Sequence, residues 1–400
     1  MLDKSQPHFD ALETRSEDQR TAEQLQALNA QLARLREQDA EALPDAGPLQ
    51  GLDALAALPV LRKSDLVARQ AAQPPFGGMV VSNLAHVFQS PGPIYEPGGL
   101  SHDWWRMGRF LHAVGIGEGD IVQNCFGYHL TPAGMIFESG ARAVGAAVLP
   151  AGVGQTELQV RAAKDIGCTA YAGTPDYLKV ILDRADEMGE ALSFTRAAVG
   201  GGALFPSLRQ EYADRGITCL QCYATADLGN IAYESAAMEG MILDEGVIVE
   251  IVRPGTGDPV TEGEVGEVVV TSLNPDYPLI RFATGDLSAF MAGQSPCGRT
   301  NRRIKGWMGR ADQTTKIKGM FVRPEQVADL VAKTGARKAR VIARREGEKD
   351  VMLVQMEGAG GADLDAAVKE TLKLSGTVEV VAEGTLPNDG KVIDDQRSYD

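Results

Sequence analysis

The segment Tyr277-Pro-Leu-Ile-Arg281-Phe-Ala-Thr-Gly-Asp286-Leu passes from an apolar run through Arg281 into Thr-Gly-Asp. That order suits a strand leading into a tight turn, and a carboxylate at such a turn can accept two hydrogen bonds from a ribose diol. Taken alone, Thr-Gly-Asp is also the composition of an ordinary turn with a solvated Asp. The stretch Gly309-Arg310-Ala-Asp312-Gln-Thr-Thr-Lys316-Ile-Lys318-Gly319, followed by Pro324-Glu325, reads by itself as a basic hairpin ahead of a helix cap. Val199-Gly200-Gly201-Gly202-Ala203 stands before Pro206. Its glycines let a flat adenine ring lie against the backbone, or serve a strand-to-helix turn that needs positive φ.

Other reactive residue types are less informative. Cys219 and Cys222 have the spacing of a redox or metal pair, but no second pair follows and both fall in an apolar stretch that reads as a buried strand. Cys125 and His129 flank Gly127 in a strand-loop pattern, where the His is read as packed or solvated. Trp104-Trp105 are read as core or interface residues of a helix. The five histidines give no Ser/His/Asp arrangement, and five cysteines, odd and sparse, are expected as reduced thiols.

These residues need elements to hold them. Residues 9–40 are rich in Ala, Gln, Glu, Leu and Arg, and Leu25, Leu28, Leu32 and Leu35 recur at helical spacing, which predicts an amphipathic helix ended by Pro44, Gly47 and Pro48. Two short helical patterns follow, with Ser64-Asp65 as a cap, and Pro74-Pro75 closes them. From Met79, apolar runs such as Val80-Val81 and Ile121-Val122 alternate with helical segments at 103–114 and 156–166, the order expected of parallel sheets covered by helices. Beyond Gly240 the stretches GVIVEIV, RPGTGDP and GEVGEVVVTSL read as antiparallel hairpins. A last segment holds strands at 340–343, 351–356 and 378–382 and a helix at 364–374, enough for a small α+β domain.

Composition narrows the partners. With 400 residues the chain exceeds one ordinary core, and 44% hydrophobic residues are typical of folded domains. A formal net charge of −15 repels phosphate backbones and anionic lipid, so neither nucleic acid nor a membrane surface is an expected partner. The longest nearly uncharged apolar stretch, 143–153, is far shorter than the ~20 residues that span a bilayer. No apolar secretory segment follows MLDKSQPHFD, and a cytoplasmic location is expected.

Together the Asp286 and Arg310 segments resemble the phenylacetate-CoA ligase family of the adenylate-forming superfamily, in which the pair reads approximately PLIRYRTGDL and GRxDDMxxxxGxxxFPxxxE. Phe9-Asp10 with Glu13-Thr14, Leu61-Arg-Lys-Ser-Asp65-Leu, Gly117-Glu-Gly-Asp120-Ile-Val-Gln-Asn124-Cys-Phe-Gly127-Tyr128 and Gly390-Lys391-Val-Ile-Asp-Asp resemble further family motifs in the same order. The resemblance implies an α/β adenylate-forming fold. A large N-terminal domain (1–310), with parallel-sheet layers and a β-rich subdomain, would precede a small mobile α+β domain (311–400). It implies that Asp286 grips the ribose, that Arg310 holds the ribose or phosphate side, and that Asp312 is the hinge. Lys391 is then the catalytic lysine, meeting the carboxylate and α-phosphate during adenylation. Gly201, Gly202 and Ala203 border adenine, Tyr223 stacks on it, Thr225 binds the α-phosphate, and Asp227 holds Mg2+ in place of the usual Glu. Phe126 and Tyr128 line the acid pocket.

The resemblance breaks at the phosphate loop. The family pattern Ser-Ser-Gly-Thr-Thr-Gly-Lys-Pro is here Ser90-Pro91-Gly92-Pro93-Ile94-Tyr95-Glu96-Pro97, which leaves Ser90 and Gly92 as candidate phosphate contacts. Two prolines remove amide donors, and Glu96 puts negative charge where the pattern has positive. The expected function is an acid–thiol ligase that uses ATP and Mg2+ to adenylate an aromatic or aryl-acetic acid and passes the acyl group to CoA. An acyl carrier protein as acceptor and a homodimer are further options the resemblance leaves open. So are two other readings: a partial enzyme that handles acyl-adenylate, and a binding protein without catalysis.

Overall fold

In the computed structural model the chain divides into two units, one of Met1–Val249, Val270–Phe282 and Met291–Gly306, the other of Glu250–Val269, Ala283–Phe290 and Trp307–Asp400. Residues 6–38, 47–311, 313–318, 320–346, 349–358, 363–387, 389 and 391–397 are described; Asp312 and Gly390 lie outside them.

The leucine periodicity near the start of the first unit produces the helix Glu17–Gln38. Leu28 and Leu32 on it are fully buried against Leu49, Leu55, Leu58, Ile248 and Ile280. The expected single helix over 9–40 is interrupted. Asp10 accepts from the Leu12 amide at 2.9 Å and caps a short 3-10 turn, Ala11–Thr14, ahead of it. Charge anchors that turn: Asp10 takes Nη1 and Nη2 of Arg109 at 2.8 and 2.6 Å, and buried Glu13 accepts from Tyr233 Oη at 2.7 Å. The family-like Phe9-Asp10 and Glu13 thus tie the chain's start to its sheet.

That sheet begins with parallel strands in the spatial order Ala147–Pro150, Ile121–Asn124, Ala170–Gly173, Arg196–Val199 and Thr218–Thr225. It continues antiparallel through Gly229–Tyr233, Met241–Leu243 and Arg303–Ile304. Helices Ala133–Ala143, Thr156–Ile166 and Pro175–Met188 connect the parallel strands, as the alternating pattern predicts. Two local readings are corrected. Val80-Val81 form no strand; the first one after Pro75 is Leu84–Ser90. Trp104 and Trp105 are buried but not helical, because Asp103 and Arg106 adopt positive φ (47° and 59°) and the Asp103 carboxylate caps the amides of Met107 and Gly108, both at 2.9 Å, so that the helix starts at Gly108.

In the second unit, Lys338–Glu346 and Lys349–Glu357 pair antiparallel, flanked by the parallel strands Ile393–Asp395 and Thr377–Val381. Helices Pro324–Thr334 and Leu364–Leu372 share one core with them through Leu330, Val341, Val354, Val368 and Ile393. This is the α+β pattern read from the sequence, with longer strands. Among the described residues no helix is long and apolar enough to cross a membrane.

Arg281, at the end of the Pro-Leu-Ile-Arg run, is 1% exposed and donates through Nη1 to the carbonyls of Ala56 and Leu58 at 3.1 and 2.6 Å. It fastens the 52–58 segment from inside. Arg281→Met would leave both carbonyls without that donor, and charged hydrogen bonds of this kind are worth about 1.5–3 kcal/mol each. Urea unfolding should show a stability loss of about 3 kcal/mol or more; a change below about 0.5 kcal/mol, the usual surface effect, would contradict the anchoring role.

Candidate functional site

Asp286 is not the solvated turn carboxylate that its sequence suggests. It lies within the strand Phe282–Ser288, is 9% exposed, and its Oδ1 accepts from Arg310 Nη1 at 2.8 Å and Trp307 Nε1 at 3.1 Å. Gly285 before it has φ 75°, and a Cβ there would stand 2.9 Å from Arg310 Nη2, so glycine serves both the turn of the backbone and the approach of the guanidinium. Backbone bonds clamp the two segments: Leu287 N to Gly309 O at 2.9 Å and Ala311 N to Gly285 O at 2.7 Å. Arg310 itself is well exposed. The result is a carboxylate oriented by two donors beside an open guanidinium, a pairing able to bind a diol or a phosphate oxygen.

Lys391 precedes the edge strand Ile393–Asp395, and Gln313 Oε1 holds that approach by accepting from the amides of Val392 and Ile393 at 2.6 and 2.9 Å. Its ammonium is half-exposed and makes a long contact, 3.4 Å, to Asp394 Oδ1. It lines a cleft of about 450 Å³ in the second unit, with Arg253, Gly255, Val327, Val331 and Leu386 on the other walls.

In the first unit, Gly201, Gly202 and Ala203 are exposed and follow the strand Arg196–Val199. A Cβ on Gly200 would meet Cys222 Sγ at 2.9 Å, which explains the small residue there. Phe126 is buried and stacks on Phe137 with centroids 4.3 Å apart, and Tyr128 accepts from Asn124 Nδ2 at 2.8 Å, so both candidate pocket residues are fixed. Burial pushes the Tyr128 phenol well above its ordinary range and keeps it neutral. Tyr223 is buried on the strand Thr218–Thr225, which leaves little more than an edge to a ligand, and Thr225 Oγ1 accepts from the Leu228 amide at 3.1 Å. Cys219 and Cys222 share that buried strand. Burial pushes the Cys219 thiol up to about 12, as for an inert thiol.

The altered loop is a hairpin. Leu84–Ser90 pairs antiparallel with Ile94–Gly99, matching Ser90 to Ile94, Gln89 to Tyr95 and Phe88 to Glu96. Gln70 locks it, exchanging hydrogen bonds of 2.8 Å with the Tyr95 backbone in both directions. Gly92, φ 155°, sits at the exposed tip. Strand alternation then turns Glu96, like Ile94, inward, where it is 0% exposed. Close by, buried Asp227 accepts from Lys63 Nζ at 2.6 Å through Oδ2. Three buried oxygens, Asp227 Oδ1 and both of Glu96, have no hydrogen-bond partner. Burial first, and the Asp227 charge second, raise the Glu96 pKa to about 7, against the pull of Ser90 and Lys63. Hard carboxylate oxygens left over in this way fit a divalent cation such as Mg2+.

Two residues were not singled out by sequence reasoning. Lys63 stands within the family-like Leu61-Arg-Lys-Ser-Asp65 step, which was its only signal; Trp307, two residues before Gly309-Arg310, had none.

No family model matches the chain. It is 29% identical over 337 residues to the phenylacetate-coenzyme A ligase of Thermus thermophilus, a match covering 79% of this chain and 75% of that protein. To the phenylacetate-coenzyme A ligase of Pseudomonas putida it is 29% identical over 355 residues, 81% and 78% of the two chains. Among solved structures, an open conformation of 2-hydroxyisobutyryl-CoA ligase with 2-HIB-AMP and CoA aligns over 97% of this chain and 93% of that one with a TM-score of 0.70 at 22% identity, a likeness of fold.

The Glu96 shift has a stability consequence of fixed sign. Below pH 4.5 the group is neutral folded and unfolded; from there to about pH 7 the unfolded chain ionises first, so stability falls as pH rises. Glu96→Gln removes that loss. Urea midpoints in chelator at pH 5 and pH 8 should show the variant gaining on the wild type by up to about 3 kcal/mol at the higher pH. A difference independent of pH would contradict the assignment.

Proposed function

We propose that the chain, similar to phenylacetate-coenzyme A ligases at 28–32% identity, belongs to that family of adenylate-forming proteins and is an acid–thiol ligase. An aromatic or aryl-acetic carboxylate attacks the α-phosphorus of ATP and expels pyrophosphate. The CoA thiol then attacks the acyl carbon, loses its proton, and releases AMP with formation of the thioester. The observation that carries this reading is sequence similarity to phenylacetate-coenzyme A ligases over about four-fifths of the chain. No observation favours the partial-enzyme or binding-protein readings.

The roles follow from what each side chain can reach. Asp286, already oriented by Trp307 and Arg310, accepts from the ribose hydroxyls, and Arg310 turns its exposed guanidinium to ribose or phosphate oxygen. The exposed Gly201, Gly202 and Ala203 backbone takes the adenine face, Tyr223 borders it, and Thr225 donates its hydroxyl hydrogen to the α-phosphate. Phe126 and Tyr128 supply the apolar wall and neutral phenol beside the acid. Ser90 and Gly92 are the remaining loop contacts. Asp227 is the residue that would hold Mg2+, which supplies charge neutralisation to the phosphates. Lys391, held only loosely by Asp394, is free to meet the carboxylate and α-phosphate oxygens as negative charge develops. Residues 311–400 form the mobile domain, swinging about Asp312 so that this lysine serves the first half-reaction alone.

Acid-dependent exchange of labelled pyrophosphate into ATP, run with a panel of aryl and alkyl acids, tests the reading. Wild type should exchange with an aryl or aryl-acetic acid. Lys391→Ala should lose roughly 100-fold or more of that exchange, the usual effect of removing a group that meets developing charge. The same variant should convert supplied acyl-AMP to thioester within a few-fold of wild type. Equal loss of both half-reactions would move Lys391 out of the adenylation role, and wild-type silence with every acid would remove the ligase reading.

A further inference from the structure

The hairpin leaves an unusual set of charges where the loop pattern of the family has a lysine. Among the described residues Glu96 is fully buried with both oxygens lacking a hydrogen-bond partner, Asp227 is buried with Oδ1 likewise, and Lys63 binds the other Asp227 oxygen at 2.6 Å, while Arg69 acts on the adjacent Tyr277. The charges of Asp227 and Lys63 both act on Glu96, and Tyr277 feels both carboxylates, which places all four groups in one cluster. Its formal sum with both acids ionised is −2 + 1 = −1. Such a cluster repels phosphate unless a further cation enters, and burying a carboxylate without a partner is costly. Among the described residues no three His, Cys, Asp or Glu side chains converge as a closed metal cage. One or two carboxylates, completed by phosphate and water oxygens, is the arrangement by which proteins hold Mg2+.

We propose that Glu96 is the second carboxylate of a divalent-cation site centred on Asp227, so that this chain meets the outer phosphates of its nucleotide through a metal ion rather than through a lysine. Lys63 is the occupant that the metal displaces from Asp227. The inference rests on the ligase reading for its nucleotide and extends it: position 96 changes from a direct phosphate contact to a metal ligand, and charge complementarity is restored by the ion.

Mn2+ is the probe. Its binding to the full-length protein without nucleotide is measured by the loss of the free-ion paramagnetic signal and by calorimetry, with near-ultraviolet circular dichroism to verify folding of each variant. Wild type should bind one Mn2+ per chain, Glu96→Gln at least tenfold more weakly, and Lys63→Met several-fold more tightly because the competing ammonium is gone. A misfolded variant would lose affinity and could not mimic that gain. Equal Mn2+ affinity in wild type and Glu96→Gln, no binding by wild type at millimolar metal, or weaker binding by Lys63→Met would each overturn the proposal. The pyrophosphate-exchange assay reads the ligase function separately, so an active enzyme whose Mn2+ affinity ignores Glu96 sinks this inference alone.

Discussion

Two buried carboxylates share one ammonium at the base of the 84–99 hairpin, and that imbalance conditions the chemistry of the first unit. Lys63 compensates Asp227, while Glu96 is driven toward its neutral form by burial and the Asp227 charge, against the weaker pull of Ser90 and Lys63. A buried ion without a partner is tolerated only when something else stabilises it: protonation, a metal, or rigid walls that deny it an escape. Here the walls are explicit. Gln70 pins the Tyr95 backbone from both sides, and the strand register fixes Glu96 opposite Phe88. The 84–99 segment is a strand turn that points a carboxylate inward.

The second unit solves the opposite problem. Asp286 is nearly covered, yet two donors of different kinds, an indole and a guanidinium, bond one of its oxygens and set its orientation before any ligand arrives. Preorganised acceptors of this kind spare the site the reorganisation that a mobile side chain would require. Lys391 contrasts with it: its side chain is half-exposed and weakly paired, while the backbone beside it is held by Gln313. In the proposed ligase a rigid acceptor at Asp286 and a loosely held Lys391 would match the different demands of holding a nucleotide throughout and stabilising charge in one step.

Much of this was legible in the sequence because it depends on local pattern. Thr156–Ile166 is the helix that its spacing predicts, Leu28 and Leu32 are buried as their periodicity predicts, and the strands read at 340–343, 351–356 and 378–382 appear as Lys338–Glu346, Lys349–Glu357 and Thr377–Val381, joined by Ile393–Asp395, which was not read. What was not legible depends on partners far along the chain. Trp104-Trp105 look helical until Asp103 turns back to cap Gly108. Asp286 reads as solvated because Trp307 and Arg310, which cover it, return from a later segment. Lys63 reaches Asp227 across 164 residues of sequence, a pairing no spacing rule can show. Glu96 was an intermediate case. Its alternation with Tyr95 and Ile94 carried the inward orientation, but only for a reader who took the segment as a strand and not as a loop.

Oxygen tracing reaches the central claim of adenylation most directly. The acid is supplied with both carboxylate oxygens as ¹⁸O, together with ATP, magnesium and CoA, and the nucleotide products are analysed by mass spectrometry. Attack of the carboxylate on the α-phosphorus transfers one labelled oxygen to AMP when the thioester forms, so the account predicts singly labelled AMP and unlabelled pyrophosphate. Label in orthophosphate with ADP as the other product would mean an acyl-phosphate route, and would contradict it.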